Sequence, residues 1–384
     1  MADQYSYNEL SPCKDNEIHE ILTRIVHDPK FFAVLDFLFP HEDKKQISAN
    51  LLNIHSIKEF QGGFMRPAIM SIIKKSSKGL TFSGAEYLKP GETYLFIANH
   101  RDILLDSALL QVFLYNNNLE TSQISFGNNL MSSTFVNDIC RVNKMFTVIR
   151  EGTRKEVYEN SLKLSAYIRQ SISAGNSSVW IAQRNGRTKD GNDKTQNGLL
   201  KMLNLSGKED FVSNFSSLNI VPVSISYEIE PCDFLKVQEL YTFLTEARYV
   251  KREGEDQNSI LTGIKQPKGH IHLAICPPVN PELQELEGND VYKLRQLAGI
   301  IDQRIYNNYR LWTNNYIAAD ILNGTQEYTS FYTPSEKDKF VNYLLMNTSR
   351  LKGEPQKLKQ LLLKIYANPV FNRFQAKRGT ENPN

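Results

Sequence analysis

The chain has 384 residues, 41% of them hydrophobic and 23% charged, with a formal net charge of +3. That length and balance suit one large folded domain, alone or with a helical extension, and exclude an extensively disordered protein. Four widely spaced cysteines (Cys13, Cys140, Cys232 and Cys276) with no CxxC pair exclude a disulfide framework or structural metal site and fit a reducing cytoplasm.

In chain order, residues 1 to about 15 read as a polar tail, and Met1-Ala2-Asp3-Gln4-Tyr5 lacks the basic and apolar regions of a signal peptide. From Asn16 to about Lys75 the pattern is helical. Ile18, Ile21, Leu22 and Ile25 share one face, and Phe32, Leu35, Phe37 and Leu38 share another. A helix over residues 47–60 leads to Gly62-Gly63, and Phe64 to Ile73 predicts one more, ending in Lys74-Lys75. From Leu80 the period changes. Short β-rich runs occur at Tyr94–Ala98, Gln123–Phe126, Phe146–Ile149, Ser178–Ala182, Ile220–Ser226 and His270–Cys276. Helical stretches such as Ser107–Tyr115 and Lys155–Ile172 lie between them. The alternation predicts an α/β fold with a mixed, largely parallel sheet flanked by helices, and with ligand loops at the carboxyl ends of strands. Pro222, inside a β-run, predicts an edge or first-residue position there. Residues 290–325 read as one long helix with Leu294, Leu297, Ile301, Ile305 and Tyr309 on one face.

Between Arg350 and Arg378 eight basic residues face one acid, so this segment carries +7 and the rest of the chain −4. Leu358, Leu361, Leu362, Ile365 and Tyr366 fall at helical spacing among Lys357, Lys359 and Lys364, a pattern that suits an anionic bilayer surface or an acidic carrier protein. No apolar run reaches the ~18–20 residues needed to cross a bilayer. The expected division is an N-terminal helical region (1–78), an α/β domain (79–325) and a basic helical extension (326–384).

Four segments carry chemistry. Tyr94–Ala98 runs into Asn99-His100-Arg101-Asp102, with Asp106 four residues on. An imidazole at a strand end with a carboxylate on one ring nitrogen suits a general base, and either Asp106 or Asp102 fills the second role. Asp102 is also a natural helix cap. Phe146–Ile149 ends in Arg150. Val179–Ala182 runs into the basic loop Gln183-Arg184-Asn185-Gly186-Arg187-Thr188-Lys189-Asp190-Gly191, where cations and close-approach glycines suit a phosphate. The fourth segment is Ile220–Tyr227 around Pro222.

In order and spacing these four segments resemble the glycerolipid acyltransferase family, which includes glycerol-3-phosphate and 1-acylglycerol-3-phosphate acyltransferases. The resemblance covers roughly residues 80–280. It implies a glycerol-3-phosphate acyltransferase-like fold and an O-acyltransferase of phospholipid biosynthesis, with His100 as base and Asp106 or Asp102 orienting it. It further implies Arg150, Gly186, Arg187, Thr188 and Lys189 as the phosphate site, and apolar residues of the Phe64–Ile73 helix as candidates for the entrance of an acyl chain. The acyl donor is acyl-CoA or an acyl carrier protein, the acceptor glycerol-3-phosphate or a lysophospholipid, and no metal or cofactor is implied. Two departures stand out. The family's aspartate falls at position 105, which is Leu105 here, and the third block begins with Gln183 rather than a glutamate. The alternatives are a catalytically weak lipid-binding protein of the same fold and acyl transfer to a lyso-aminolipid. A phosphoester hydrolase is disfavoured because no metal-ligand cluster accompanies the histidine. Without a basic face interleaved with aromatics, nucleic acid is not expected as a partner. The expected location is cytoplasmic, peripheral on the inner face of the membrane.

Overall fold

The computed structural model describes residues 12–130, 133–149 and 151–381. The amino-terminal helices are α1 (Ile18–His27), α2 (Pro29–Leu38), α3 (Lys44–Leu52), α4 (Ile57–Phe60) and α5 (Arg66–Ser76), with a π-helical turn at Gln61–Met65 before α5. Local chemistry sets the breaks. The Asp28 carboxylate accepts the Lys30 amide at 2.8 Å with Pro29 at the first helical position, so α2 begins where α1 stops. Ile18, Ile21, Leu22 and Ile25 close on Phe31, Leu35, Phe60 and Phe64 as a small separate core.

The sheet has seven strands: β1 (Gly79–Ser83), β2 (Leu95–Ala98), β3 (Gln123–Gly127), β4 (Met145–Val148), β5 (Val179–Ala182), β6 (Ile220–Tyr227) and β7 (His270–Ile275). Their order is β1-β7-β6-β2-β5-β3-β4, and every neighbouring pair is parallel except β6–β7. The expected α/β class with a mixed, largely parallel sheet is what the chain forms. Helices cover both faces. In chain order the helices that follow β2 to β5 are α6 (Leu105–Asn116), α7 (Thr134–Val142), α8 (Arg154–Ser173), α9 (Asn197–Asn204) and α10 (Phe211–Ser216). Those that follow β6 and β7 are α11 (Asp233–Glu246), α12 (Glu255–Lys265), α13 (Asp290–Asn308) and α14 (Thr313–Asn323). One core packs α8, α9 and α13 on one face, and the other packs α5 and α6 on the opposite face.

Two sequence expectations are corrected. Pro222 lies inside a central strand, between β7 and β2, rather than at an edge. It is tolerated because its carbonyl takes the Cys276 amide at 2.9 Å just beyond the last β6–β7 ladder pair, so the donor it lacks faces the point where β7 has run out. The long helix of 290–325 is two helices. Tyr309 is extended and buried, and the Asn315 side chain accepts the Trp312 amide at 2.7 Å, which starts α14 in a new direction.

The C-terminal helices α15 (Pro334–Thr348) and α16 (Pro355–Glu381) join α14 in a further core. Leu358, Leu361, Leu362, Ile365 and Tyr366 are buried there, so the apolar face that the sequence offers to a bilayer is packed inside the protein. Lys357 and Lys364 stay exposed. Among the described residues no helix is long and apolar enough to cross a membrane. Helix α16 also braces the basic loop. Asn368 donates to the Asp190 carbonyl at 2.8 Å, and Gly191, at φ +77°, lies against the Ile365 carbonyl where a Cβ would collide. Replacing Gly191 by alanine is expected to cost about 1–3 kcal/mol through left-handed strain plus this collision, read as a lowered urea midpoint.

Candidate active site

Strand β2 is buried along its length and delivers Asn99 and His100 to its carboxyl end. Asn99 is locked there. Its carbonyl oxygen accepts the Ile225 amide at 2.7 Å, and its amide group donates to the Ile225 carbonyl and to Asp193. The next side chain, His100, places Nδ1 2.9 Å from Asp106 Oδ2. Asp106 sits in the first turn of α6, and it is saturated with donors. Oδ2 also accepts the amides of Arg101 at 2.6 Å and Asp102 at 2.9 Å, and Oδ1 accepts the Tyr227 hydroxyl at 2.8 Å. Burial and the neighbouring Asp106 charge push the Tyr227 phenol well above its ordinary range, so it stays a donor. Asp106 rather than Asp102 therefore meets the imidazole. Asp102 turns the other way and accepts the amides of Leu104 and Leu105, which caps α6.

Below the histidine lies a buried ionic cluster. Arg101, 1% exposed, is bonded by Asp193 at 2.6 Å, Glu230 at 2.9 Å and the Gly191 carbonyl at 3.1 Å, and it lies over the Tyr309 ring. Lys236 closes the cluster, with Nζ bonded to Glu230 at 2.5 Å and to the Arg101 carbonyl at 2.7 Å. Tyr366 of α16 donates to Asp233 and accepts the Glu230 amide. The C-terminal helix thus braces the cluster beneath the site without lining the cleft itself.

The basic loop follows β5 and is tied to the histidine directly, since the Thr188 amide donates to the His100 carbonyl at 2.9 Å. Gly186 adopts φ +70° and lines the cleft. Arg187 is 7% exposed, lines the cleft and has a buried Nη1 without a hydrogen-bond partner. Thr188 is off the wall: it is fully buried, and its hydroxyl is used by Asp190 and the Asn192 carbonyl. Lys189 lines the cleft but is paired with Glu239 of α11. Burial, with Arg187 beside it, brings the Lys189 ammonium down to about 8. Arg150 lies outside the described residues.

These groups share one cleft of about 600 Å³ at the carboxyl ends of β2, β3, β4 and β5. Trp180 forms part of its wall and presents an edge to the imidazole, with centroids 5.9 Å apart. A small apolar hollow adjoins it, sharing Leu104, Ser107, Ile124 and Met145 and reaching Met65 and Ile69 of the region expected to receive an acyl chain. Among the described residues no group of three His, Cys, Asp or Glu side chains is placed to hold a metal ion. Sequence reasoning missed Tyr227, Trp180 and the carboxylates Glu151, Glu239 and Asp256 of the cleft. Tyr227 was within reach, as the last residue of the fourth segment. The α11–α12 residues carried no motif.

Residues 79–226 match the family described as Acyltransferase, and this span contains His100, Asp106 and the basic loop, with Tyr227 just beyond its end. The chain carries an acyltransferase-family domain and is an acyltransferase enzyme. Among solved structures the acyltransferase is similar to the 1-acyl-sn-glycerophosphate (LPA) acyltransferase PlsC from Thermotoga maritima. The TM-score is 0.38 at 15% identity, over 74% of this chain and 94% of that one. A comparison with curated protein sequences gives no match. In this acyltransferase, Tyr227→Phe removes one of four donors to Asp106 while keeping the ring. The expected cost is about 1 kcal/mol of stability, measured by urea unfolding.

Proposed function

We propose that the enzyme moves a fatty acyl group from a thioester, acyl-CoA or acyl carrier protein, to a hydroxyl of a glycerol-phosphate-type acceptor such as glycerol-3-phosphate or 1-acylglycerol-3-phosphate. The observation that supports this most is the His100–Asp106 pair. Nδ1 is held by the carboxylate, which leaves Nε2 as the ring nitrogen open to substrate in the cleft. In this mechanism Nε2 takes the proton of the acceptor hydroxyl as its oxygen attacks the thioester carbonyl. The new C–O bond forms, the C–S bond then breaks, and the imidazolium returns the proton to the departing thiolate. Asp106 stabilises the charged ring between the two transfers. Acyl transfer is direct, with no covalent acyl-enzyme. The acceptor phosphate is assigned to Arg187, whose buried guanidinium has an unpartnered Nη1, with Lys189 beside it. The alternative of a catalytically weak lipid-binding protein drew on the aspartate standing one residue late. The turn at 101–104 absorbs that shift, which favours the enzyme reading. We place the enzyme peripherally on the inner face of the membrane, with exposed lysines of α16, rather than its buried apolar face, toward anionic lipid.

The test is thiol release from acyl-CoA that depends on an added acceptor, with the lipid product identified by mass spectrometry. His100→Ala is expected to lower that rate by roughly 10²–10⁴-fold, and full activity in this variant overturns the mechanism. Asp106→Asn is expected to lower kcat far more than Asp102→Asn, which keeps an oxygen for the Leu104 and Leu105 amides and does not touch the imidazole. Lys189 is charged below its value of about 8 and neutral above it, so the KM for acceptor is expected to rise as pH passes through 8. In Lys189→Arg that rise disappears, because guanidinium stays charged.

A further inference from the structure

Two of the four cations that line the cleft already have carboxylate partners. Lys189 is paired with Glu239, Lys251 is 2.6 Å from Asp256, and Glu151 lines the same wall. Against Arg184, Arg187, Lys189 and Lys251 there are thus three carboxylates, so the described lining carries a net charge of only +1. A phosphomonoester such as lysophosphatidate brings close to two negative charges and no cation. Holding it calls for concentrated, uncompensated positive charge. The signs here are mixed instead: Arg187, with its buried unpartnered Nη1, lies beside Lys189, and Lys189 is held by Glu239.

Partner exchange decides which ligand suits such a lining. If Lys189 turns to a phosphate with nothing else arriving, Glu239, whose side chain is 20% exposed, is left without its counter-ion beside a new anion. That arrangement is unfavourable twice over, through partial desolvation and through like-charge repulsion. If the ligand also carries an ammonium group, the phosphate replaces Glu239 as partner of Lys189, and the ammonium replaces Lys189 as partner of Glu239. No charge is then stranded.

We propose that the acceptor is zwitterionic, a lysophospholipid whose phosphodiester meets Arg187 and Lys189 while an ammonium group on its head meets Glu239. This rests on the acyl-transfer reading above and makes Glu239 the residue that selects the head group. Asp256, already paired with Lys251, repeats this cation–carboxylate pairing along the α11–α12 side of the cleft.

The experiment compares kcat/KM of the full-length enzyme for lysophosphatidylethanolamine and lysophosphatidate of the same acyl chain in mixed micelles, with one acyl-CoA donor. Wild type is expected to favour the zwitterion by roughly tenfold to a hundredfold, the range of one charged contact. Glu239→Gln is expected to erase that preference, by raising KM for lysophosphatidylethanolamine at least roughly tenfold more than KM for lysophosphatidate. Glu239→Asp keeps the preference. A wild-type preference for lysophosphatidate overturns the proposal. So does an equal change toward both acceptors in Glu239→Gln, which would mean that Glu239 only orients Lys189. Should Glu239→Gln fail to fold, the wild-type ratio and Glu239→Asp decide. Transfer to neither acceptor, nor to glycerol-3-phosphate, overturns the underlying acyl-transfer reading instead.

Discussion

The carboxylate of Asp106 is the constraint on which the site depends. One buried group accepts from the His100 ring, from two successive amides of the turn after β2, and from the hydroxyl at the end of β6. Three donors are successive residues of the turn after β2 and the fourth closes from the end of β6, so strand end, turn and helix start are fixed at a single point. A carboxylate surrounded by four donors is fixed in place against the ring, where it can stabilise a protonated imidazole. The same contacts therefore fold the turn and prepare the chemistry.

Beneath it, the Arg101 cluster fastens together parts of the chain that are far apart in sequence: the turn after β2, Gly191 and Asp193 beyond the basic loop, Glu230 after β6 and Lys236 on α11. Buried ion pairs are weak evidence for stability, since desolvation offsets most of their attraction. Their service here is registration. With every carboxylate matched to a cation or an amide, alternative placements of the basic loop would leave a charge unpaired in the interior. Tyr366 and Asn368 extend the lattice into α16, a helix outside the span that matches the family. The two surrounding cores supply the bulk of the apolar burial, but this polar lattice determines where the loops sit on them.

Much of the architecture was legible because local signals agree with the fold. Six of the seven strands announce themselves as short β-rich runs between helical stretches, and the sheet class follows from that alternation. β1 was not legible, being five half-exposed residues at an edge with no full apolar run. The break at Tyr309–Trp312 was hidden because the apolar period continues through it, and only the Asn315 cap and the docking of α14 interrupt the helix. Pro222 misled because local chemistry argues for an edge, while its tolerance depends on where β7 ends. At the site, the His100 segment and the basic loop were readable from residue types alone. The choice between Asp102 and Asp106 was not, since it turns on how the backbone between them folds. The partner of Lys189 was not readable either, because Glu239 arrives from fifty residues away on a helix with no motif.

Trp180 has a practical consequence. The chain contains two tryptophans, and this one is buried in the cleft wall, with its indole N–H unpartnered and its ring edge against the imidazole. The other, Trp312, stacks on His270 and lies under the Arg310 guanidinium, outside the cleft lining. With Trp312 replaced by phenylalanine, the enzyme would hold a single native fluorophore at its reaction centre. Its emission would respond to whatever displaces water from that wall, giving an optical record of occupancy in which neither substrate needs a label.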